Sequence, residues 1–596
     1  MSTAWYFFLL FISKCTVCVS QGGLEVEVLS VGGSWQDEVM HLAADGPHQY
    51  IVGKFNGGNQ DFPGGPHETI SVAKVGKNLT DWQGIHGHLS CDREGKINKL
   101  NCTQILDNRE LIMSSVTGLV AINGDAILSG CYRSFFDKPE AGCASVVNPG
   151  KWRVVGLSDT CVNMQGGLTV HSGNVFVAGL FHTRVEFVQI NDETGKNISF
   201  GRPQNADGLG AFFLEIDPTT GLIQTFGKPP RQVALGPLFI AAGPRDAHVY
   251  ILSRRLVNTR TSRPLSCPME RNGGDFPSIG VVLTPLGFQG EGLFFDTDDE
   301  FDEFEPTGMV VDPEDPTVVY VSGYFKGVLR LSKDYELVSA PRLDPSQKSI
   351  DGILMKIEFN NKTVPSIDWV LRIGGAGEDK ALGVAAKDGN VYVMGTFEFG
   401  LDVDGWLTRK NHKGEPLLLK VELNMETIES RGKLDIYVLK LLSGGMDVQW
   451  LSTAGGELDD FVTSIDVGAD GDVHVGGRFS GVALFPGQKM LVSQGMFDAF
   501  VATYKELSEG VAGGSKKAPG SSGPDMWRVS CAVILSAICV CLVLAAVLYL
   551  KRKRSQKKKM CRQKQELQQN SGLLGKHRLR VMTEVVDCRS SDDGSG

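Results

Sequence analysis

The sequence predicts an all-β chain: a β-propeller of about seven blades, closed by its own N-terminal strand. Three observations predict it. An apolar run of one pattern returns seven times, as YIVGKF (50–55), AILSGCY (126–132), VFVAGLF (175–181), VYILSRR (249–255), VYVSGYF (319–325), NVYVMGTF (390–397) and VHVGGRF (473–479). Such recurrence is the mark of a repeat architecture. Each run is apolar at consecutive positions, as at Val391, Tyr392, Val393 and Met394. A half-exposed strand alternates, whereas a continuous run fits a strand covered on both faces. Glycine is abundant, at 72 residues, and helix-period segments are scarce, which favours sheet.

Two companion elements complete the unit. Upstream, a strand ends in Gly-Gly and then acids: SVGGSWQDE (30–38), RIGGAGED (372–379), TAGGELDD (453–460). Downstream comes a strand of the type DAFVATYK (498–505), matched by DIYVLKL (435–441), DGILMKIEF (351–359) and GAFFLEID (210–217). Four strands then make one blade. These motifs resemble a bacterial-type β-propeller repeat family whose units read GG…D…GNVYVTG…DAFVAKL. The match is specific over 368–505, partial over 24–77 and 305–359, and loose over 82–296. The resemblance implies a propeller of about seven blades and no activity, because one fold hosts many functions. The strand at 24–31 has the form that precedes Gly-Gly, while the last unit ends at 498–505 without an outer strand. The first strand is therefore expected to pair antiparallel with the last, removing two exposed edges.

The flanks carry membrane signals. Residues 1–20 read as a secretory signal, with an apolar core at 5–12 and the small residues Cys18 and Ser20 before a cut. Residues 21–507 form the expected ectodomain, and 508–526, rich in Gly, Ser and Pro, a flexible linker. Residues 527–550 form the expected transmembrane helix. Its uncharged stretch 529–550 spans about 33 Å as a helix, enough for a bilayer core. KRKRSQKKK follows at 551–559, and basic residues collect on the cytoplasmic side, so the tail 551–596 is expected inside and disordered. The chain has a net charge of −10 although its tail is basic, so the exterior is acidic and nucleic acid is an unsuitable partner for it. The basic run is expected to lie on anionic inner-leaflet lipid, and Cys561 beside it is a lipidation candidate.

Four sequons, at Asn78, Asn101, Asn197 and Asn361, fall on the expected outer side as glycosylation candidates. So do six cysteines without CxxC spacing: Cys91, Cys102, Cys131, Cys143, Cys161 and Cys267. Export makes disulfides the expectation. Sequence alone leaves the pairing open. The most local choice joins Cys91 to Cys102 and Cys131 to Cys143, which leaves Cys161 with Cys267.

Chemistry is sparse. The acidic run DTDDEFDEFE (296–305) offers Asp298, Asp299 and Asp302 as Ca²⁺ candidates, the one cofactor considered, although a solvated loop is the plainer reading. Asp402–Gly405 and Asp470–Asp472 read as tight turns. His86 and His88 lack a third ligand nearby, and GGAGED is too acidic to cradle phosphate. Nucleophile-elbow, zincin and P-loop motifs are absent. The expectation is a single-pass type I cell-surface glycoprotein whose ectodomain binds an extracellular protein or glycan, as a receptor or in adhesion. The alternatives are a membrane-tethered glycosidase or other hydrolase, and a structural surface-coat protein.

Overall fold

The computed structural model describes residues 24–506 except 33–35, 47, 56–68, 77–81, 87–110, 135–142, 150, 158–160, 164–166, 192–196, 201–203, 228–236, 244–248, 257–278, 286–292, 298–302, 333–334, 342–347, 360–364, 411–415, 422, 424, 426 and 445. The signal, linker, membrane segment and tail expected from sequence lie outside the described residues. Among those described, no helix is long and apolar enough to cross a membrane. Apart from one 3-10 turn at Pro486–Gln488, the regular structure described is all β-strand.

The strands form seven antiparallel four-stranded units among the described residues: 38–86, 111–157, 168–227, 237–297, 303–374, 380–456, and 461–506 completed by 24–31. The second strand of each unit carries one of the seven repeated runs. In Val318–Lys326 and Val473–Phe479 most of the run is buried on both faces. The reason is that the apolar cores lie between units. One core combines Tyr392, Met394, Ile436 and Val438 of the sixth unit with Val473, Val475, Phe500 and Tyr504 of the seventh.

The glycine inside these runs marks close backbone approach by the inner strand. A methyl at Gly395 would lie 1.9 Å from the Lys380 carbonyl oxygen, and one at Gly477 2.0 Å from that of Phe461. Gly477→Ala is therefore expected to lower stability by about 1–3 kcal/mol, the usual cost of overpacking. A thermal melt of the ectodomain checks it, and an unchanged Tm would refute the close approach.

The inner strands pack one on the next in chain order, from Glu38–Asp45 and Leu111–Ile122 to Lys380–Lys387 and Phe461–Val467. The last packs back on the first. At that return, Leu42 N donates to Ser464 Oγ (2.9 Å) and Ala44 N to Asp466 Oδ2 (2.7 Å), while Thr463 Oγ1 donates to the Val39 carbonyl. At the rim, Leu24–Val31 pairs antiparallel with Asp498–Glu506, from Leu24↔Glu506 to Val31↔Ala499, as the sequence predicts. The arrangement is propeller-like.

A feature absent from the sequence reading is a set of hairpins between second and third strands. Each adds to the outer strand of the preceding unit. Glu186–Asn191 pairs with Trp152–Leu157, Val328–Ser332 with Leu293–Thr297, and Val482–Phe485 with Val448–Gly456. The far half of Asn390–Lys410 does the same on Ser366–Gly374. The hairpins and the links between units share one end of the strands, the hairpin end. The tight turns share the other, the turn end, where the last described strand finishes at Glu506. At the turn end, Tyr50 Oη donates to the Gly124 carbonyl (2.7 Å) and Tyr250 Oη to that of Pro316 (2.8 Å), tying units together there too.

Candidate functional site: buried carboxylates at the hairpin end

The hairpin end gathers the acids of the repeat motifs. The aspartate that opens the stretch of third strand paired with the repeated run (Asp351, Asp435, Asp498) and the one that follows Gly-Gly in the next unit (Asp379, Asp460, Asp37) are all buried. Backbone bonds bring them together in the same way three times. Asp379 N donates to the Ile350 carbonyl (2.7 Å), Asp460 N to that of Leu434 (2.8 Å) and Asp37 N to that of Phe497 (2.9 Å). In each case the acceptor precedes the opening aspartate.

The carboxylates are held by amides. Gly375 N and Glu398 N donate to Asp379 at 2.6 and 2.9 Å. Gly456 N and Ser480 N donate to Asp460 at 2.8 and 3.2 Å. Ala340 N (2.7 Å) and Ser349 Oγ (2.9 Å) donate to Asp351, with the Arg372 guanidinium 3.7 Å away. Arg431 N donates to Asp435, and Gln494 N and Gly495 N to Asp498.

The Gly-Gly motif is explained by the same packing. A methyl at Gly455 would lie 2.3 Å from Asp435 Oδ1 and 3.0 Å from Asp460 Oδ2, and one at Gly374 3.1 Å from both Asp351 and Asp379. The second glycine faces the hairpin: a methyl at Gly375 or Gly456 would lie 2.2 Å from the Gly400 carbonyl oxygen or 1.8 Å from that of Val482.

Burial pushes the Asp379 carboxyl up to about 8 and the Asp460 carboxyl up to about 7. The amide bonds pull each down, and the partner carboxylate, Asp351 or Asp435, pushes each up. Burial also raises Asp435, to about 6, and raises Asp351 and Asp498. A neighbouring carboxylate disfavours ionisation, as like charges do. The arrangement lies at the junctions between units, with its carboxyls buried.

The sequence marked these letters as repeat signatures without giving them a role, and their recurrence after Gly-Gly was the available signal. Other expectations fall elsewhere. Asp402–Gly405 is not a turn: it lies within the strand Asn390–Lys410 and pairs with Ser366–Gly374 on one side. Asp404 there bonds Arg372 and Lys420. Pairing to the neighbouring unit overrides the local Asp-Gly turn chemistry. Asp470–Asp472 does form a turn, with Gly471 at φ +86°. Asn197 opens the strand Asn197–Phe200 of a hairpin. Cys131, Cys143 and Cys161 lie on the strands Asp125–Ser134, Cys143–Asn148 and Cys161–Asn163. Asn78, Asn101, Asn361, Cys91, Cys102, Cys267, Cys561, Asp298, Asp299 and Asp302 lie outside the described residues. Among the described residues, no group of three or more His, Cys, Asp or Glu is placed to hold a metal ion.

No protein-family model and no curated protein matches the chain. Among solved structures, it is similar to a europium-containing methanol dehydrogenase (11% identity, 82% of this chain and 95% of that one, TM-score 0.27). It is also similar to the NanB sialidase of Streptococcus pneumoniae (9%, 83% and 72%, TM-score 0.27). An exo-β-1,3-galactanase of Clostridium thermocellum is a third (10%, 80% and 99%, TM-score 0.24). At these distances neither residues nor reactions transfer.

Proposed function

We propose that the protein is a single-pass type I surface glycoprotein whose seven-bladed propeller binds an extracellular protein or glycan at its hairpin end. The observation that carries this reading is where the large exposed apolar side chains sit. Among the described residues, Val338, Phe399, Leu419 and Leu458 lie in the hairpins and links of the last three units, and the last hairpin and its return add Val482, Leu484, Met490, Val492 and Met496. Leu222 and Leu442 lie apart from them, near the turn end. Exposed apolar surface concentrated in this way marks an interaction site, and methionine adapts to varied partners. The last described strand finishes at Glu506 at the turn end, so the hairpin end is the end away from it.

The soluble ectodomain is expected to retain a partner from an array of surface proteins and glycans. The double variant Met490→Asp, Val492→Asp should weaken that binding by about tenfold or more, as loss of an interface anchor does, without lowering Tm. Binding that survives the double variant would move the site elsewhere.

A membrane-tethered glycosidase is the second reading, because Asp379 and Asp460 stand near 8 and 7, the range of a general acid. Their burial and their recurrence at successive junctions favour the structural role, since a reaction centre is needed once. Turnover of an aryl-glycoside panel by the ectodomain, lost in Asp379→Asn, would reverse that order.

A further inference from the structure

Apart from the carboxylate clasps at its junctions, the hairpin end carries an open sheet edge. Val482–Phe485 extends the outer strand of the sixth unit, and Lys489–Val492 pairs with it in turn. Among the described residues, no strand pairs with the far side of Lys489–Val492. The ribbon is apolar on both faces. Ala483 and Phe485 are buried on the inner face, and Leu491 packs there on the core between the sixth and seventh units. Val482, Leu484, Met490 and Val492 are exposed on the outer face, as the cross-strand pairs Val482↔Val492 and Leu484↔Met490. Two other hairpins at this end carry ion pairs, and charge is a usual protection of an edge. Arg330 pairs with Glu336 (3.3 Å) in one, and Lys420 with Asp404 (2.8 Å) in the other.

The backbone at this edge points outward as well. Ser493 N donates to the Gly481 carbonyl (2.8 Å), so Gly481 and Ser493 form a hydrogen-bonded pair. Bonded and non-bonded pairs alternate along an antiparallel ladder, which makes Val482↔Val492 and Leu484↔Met490 non-bonded pairs. The Val482 carbonyl accordingly turns to the sixth unit, where a methyl on Gly456 would lie 1.8 Å from its oxygen. On the other strand, the N–H and C=O of Met490 and Val492 turn to the open edge.

We propose that this edge pairs with the same edge of a second copy of the chain, antiparallel about a two-fold axis at Leu491. A two-fold contact must be self-complementary. Among antiparallel registers, only this one bonds both outward-facing residues of both copies to each other, Met490 of each to Val492 of the other. Lys489 then stands opposite the second copy's Ser493, so like charges do not meet. The outer faces join into one apolar surface, and two open edges close at once. The four residues of that face carry no charge with which to select a different strand. The pairing rests on the surface reading for the hairpin end as the docking face.

Full-length protein carrying two different tags is co-expressed and solubilised from membranes. One tag is expected to retrieve the other, and Met490→Pro to cut that retrieval about tenfold or more, because proline removes an N–H at the open edge. It breaks none of the ribbon's own bonds, and Lys489 before it, at φ −74° and ψ 119°, is already extended as a following proline requires. Tm should therefore hold. Cysteines read the register. Residues facing each other across the axis would lie about 4.5–5.5 Å apart at Cα, within reach of a disulfide. Under a mild oxidant, Leu491→Cys alone, and Met490→Cys mixed with Val492→Cys, should give linked dimers above the level of the parent. Met490→Cys alone should not, because its two copies would sit diagonally, about 7–8 Å apart. Retrieval that survives Met490→Pro, or linkage by Met490→Cys alone and not by the mixture, would overturn the pairing. Tags that do not co-purify, in a protein whose array partner is still lost with Met490→Asp, Val492→Asp, would overturn the second copy and leave the surface reading standing. Co-purification abolished by Met490→Pro, with array binding unchanged in the Asp double variant, would support the pairing and move the array partner's site elsewhere.

Discussion

An ectodomain that starts after Val31 is expected not to fold. Leu24–Val31 supplies the outer strand of the seventh unit, with eight register pairs to Asp498–Glu506. Val26 and Val31 are buried, Leu24 and Val28 pack on the core between the sixth and seventh units, and Leu29 packs on the core shared with the first. Each buried aliphatic side chain is worth about 1.5–3 kcal/mol, so the strand contributes on the order of a domain's whole stability, about 5–15 kcal/mol. Its loss also bares the edge of the strand that leads to the linker, and bare edges aggregate. Lys505 Nζ loses Glu27 as well, at 2.7 Å. The cut at the other end must fall beyond Glu506, which accepts from Lys440 Nζ (2.5 Å) and Trp450 Nε1 (2.6 Å). Secretion yield and thermal melts of 21–507 and 32–507 compare the two. A shortened chain that is secreted and melts like its parent would show that the first strand closes nothing.

The parts legible in the sequence are those whose cause is local. A second strand covered on both faces must be apolar throughout, and its glycine is set by contact with the adjacent inner strand, so seven runs stood out unaided. The partnership of Asp351 with Asp379 was not legible. The two are brought together by the register of the strand between them, and spacing does not encode a register. The first four units matched the repeat loosely for a related reason. Opposite the ends of YIVGKF, VFVAGLF and VYILSRR stand Thr69, Gly210 and Gly280, where the last three units place aspartate. The strand survives that exchange because its faces are still covered, while the clasp does not. The hairpins were hidden for the opposite reason. Their sequences vary, since each needs only backbone groups to extend the preceding outer strand. The expectations of a membrane segment and a basic tail rest on hydropathy and charge alone, and they fall outside the described residues.

Stability is expected to rise as pH falls from about 8 to about 5. Asp379, Asp460 and Asp435 have folded-state pKa values of about 8, 7 and 6, raised chiefly by burial. Asp466, raised by burial to about 6, belongs with them. In the unfolded chain each returns to about 3.9. Between these limits the folded state binds more protons than the unfolded one, so the unfolding free energy falls as pH rises. The stabilisation is complete below about pH 4 and is lost as pH climbs through the folded values. Each pKa unit is worth about 1.4 kcal/mol, and each pair titrates as one system, so even one unit per junction makes a Tm difference of several degrees. His41 acts the other way: burial lowers its pKa, against the pull of its bond to the Val116 carbonyl, so it costs stability below about pH 6.5. It is one group against several. A lower limit comes from Asp404 and Glu506. Burial raises both, but Lys420 and Arg372 hold Asp404 below its usual value, and Lys440 and Trp450 do so for Glu506. Their contribution is lost on further acidification, which places the optimum near pH 5. Melts of the ectodomain from pH 4 to 8 measure the slope. The double variant Asp379→Asn, Asp460→Asn keeps an acceptor oxygen at each site and removes the titration, so its Tm should be flatter across that range. A parent whose Tm instead rises from pH 5 to 8 would mean that these aspartates are ionised in the folded protein, and the reading of them as protonated joints would fall.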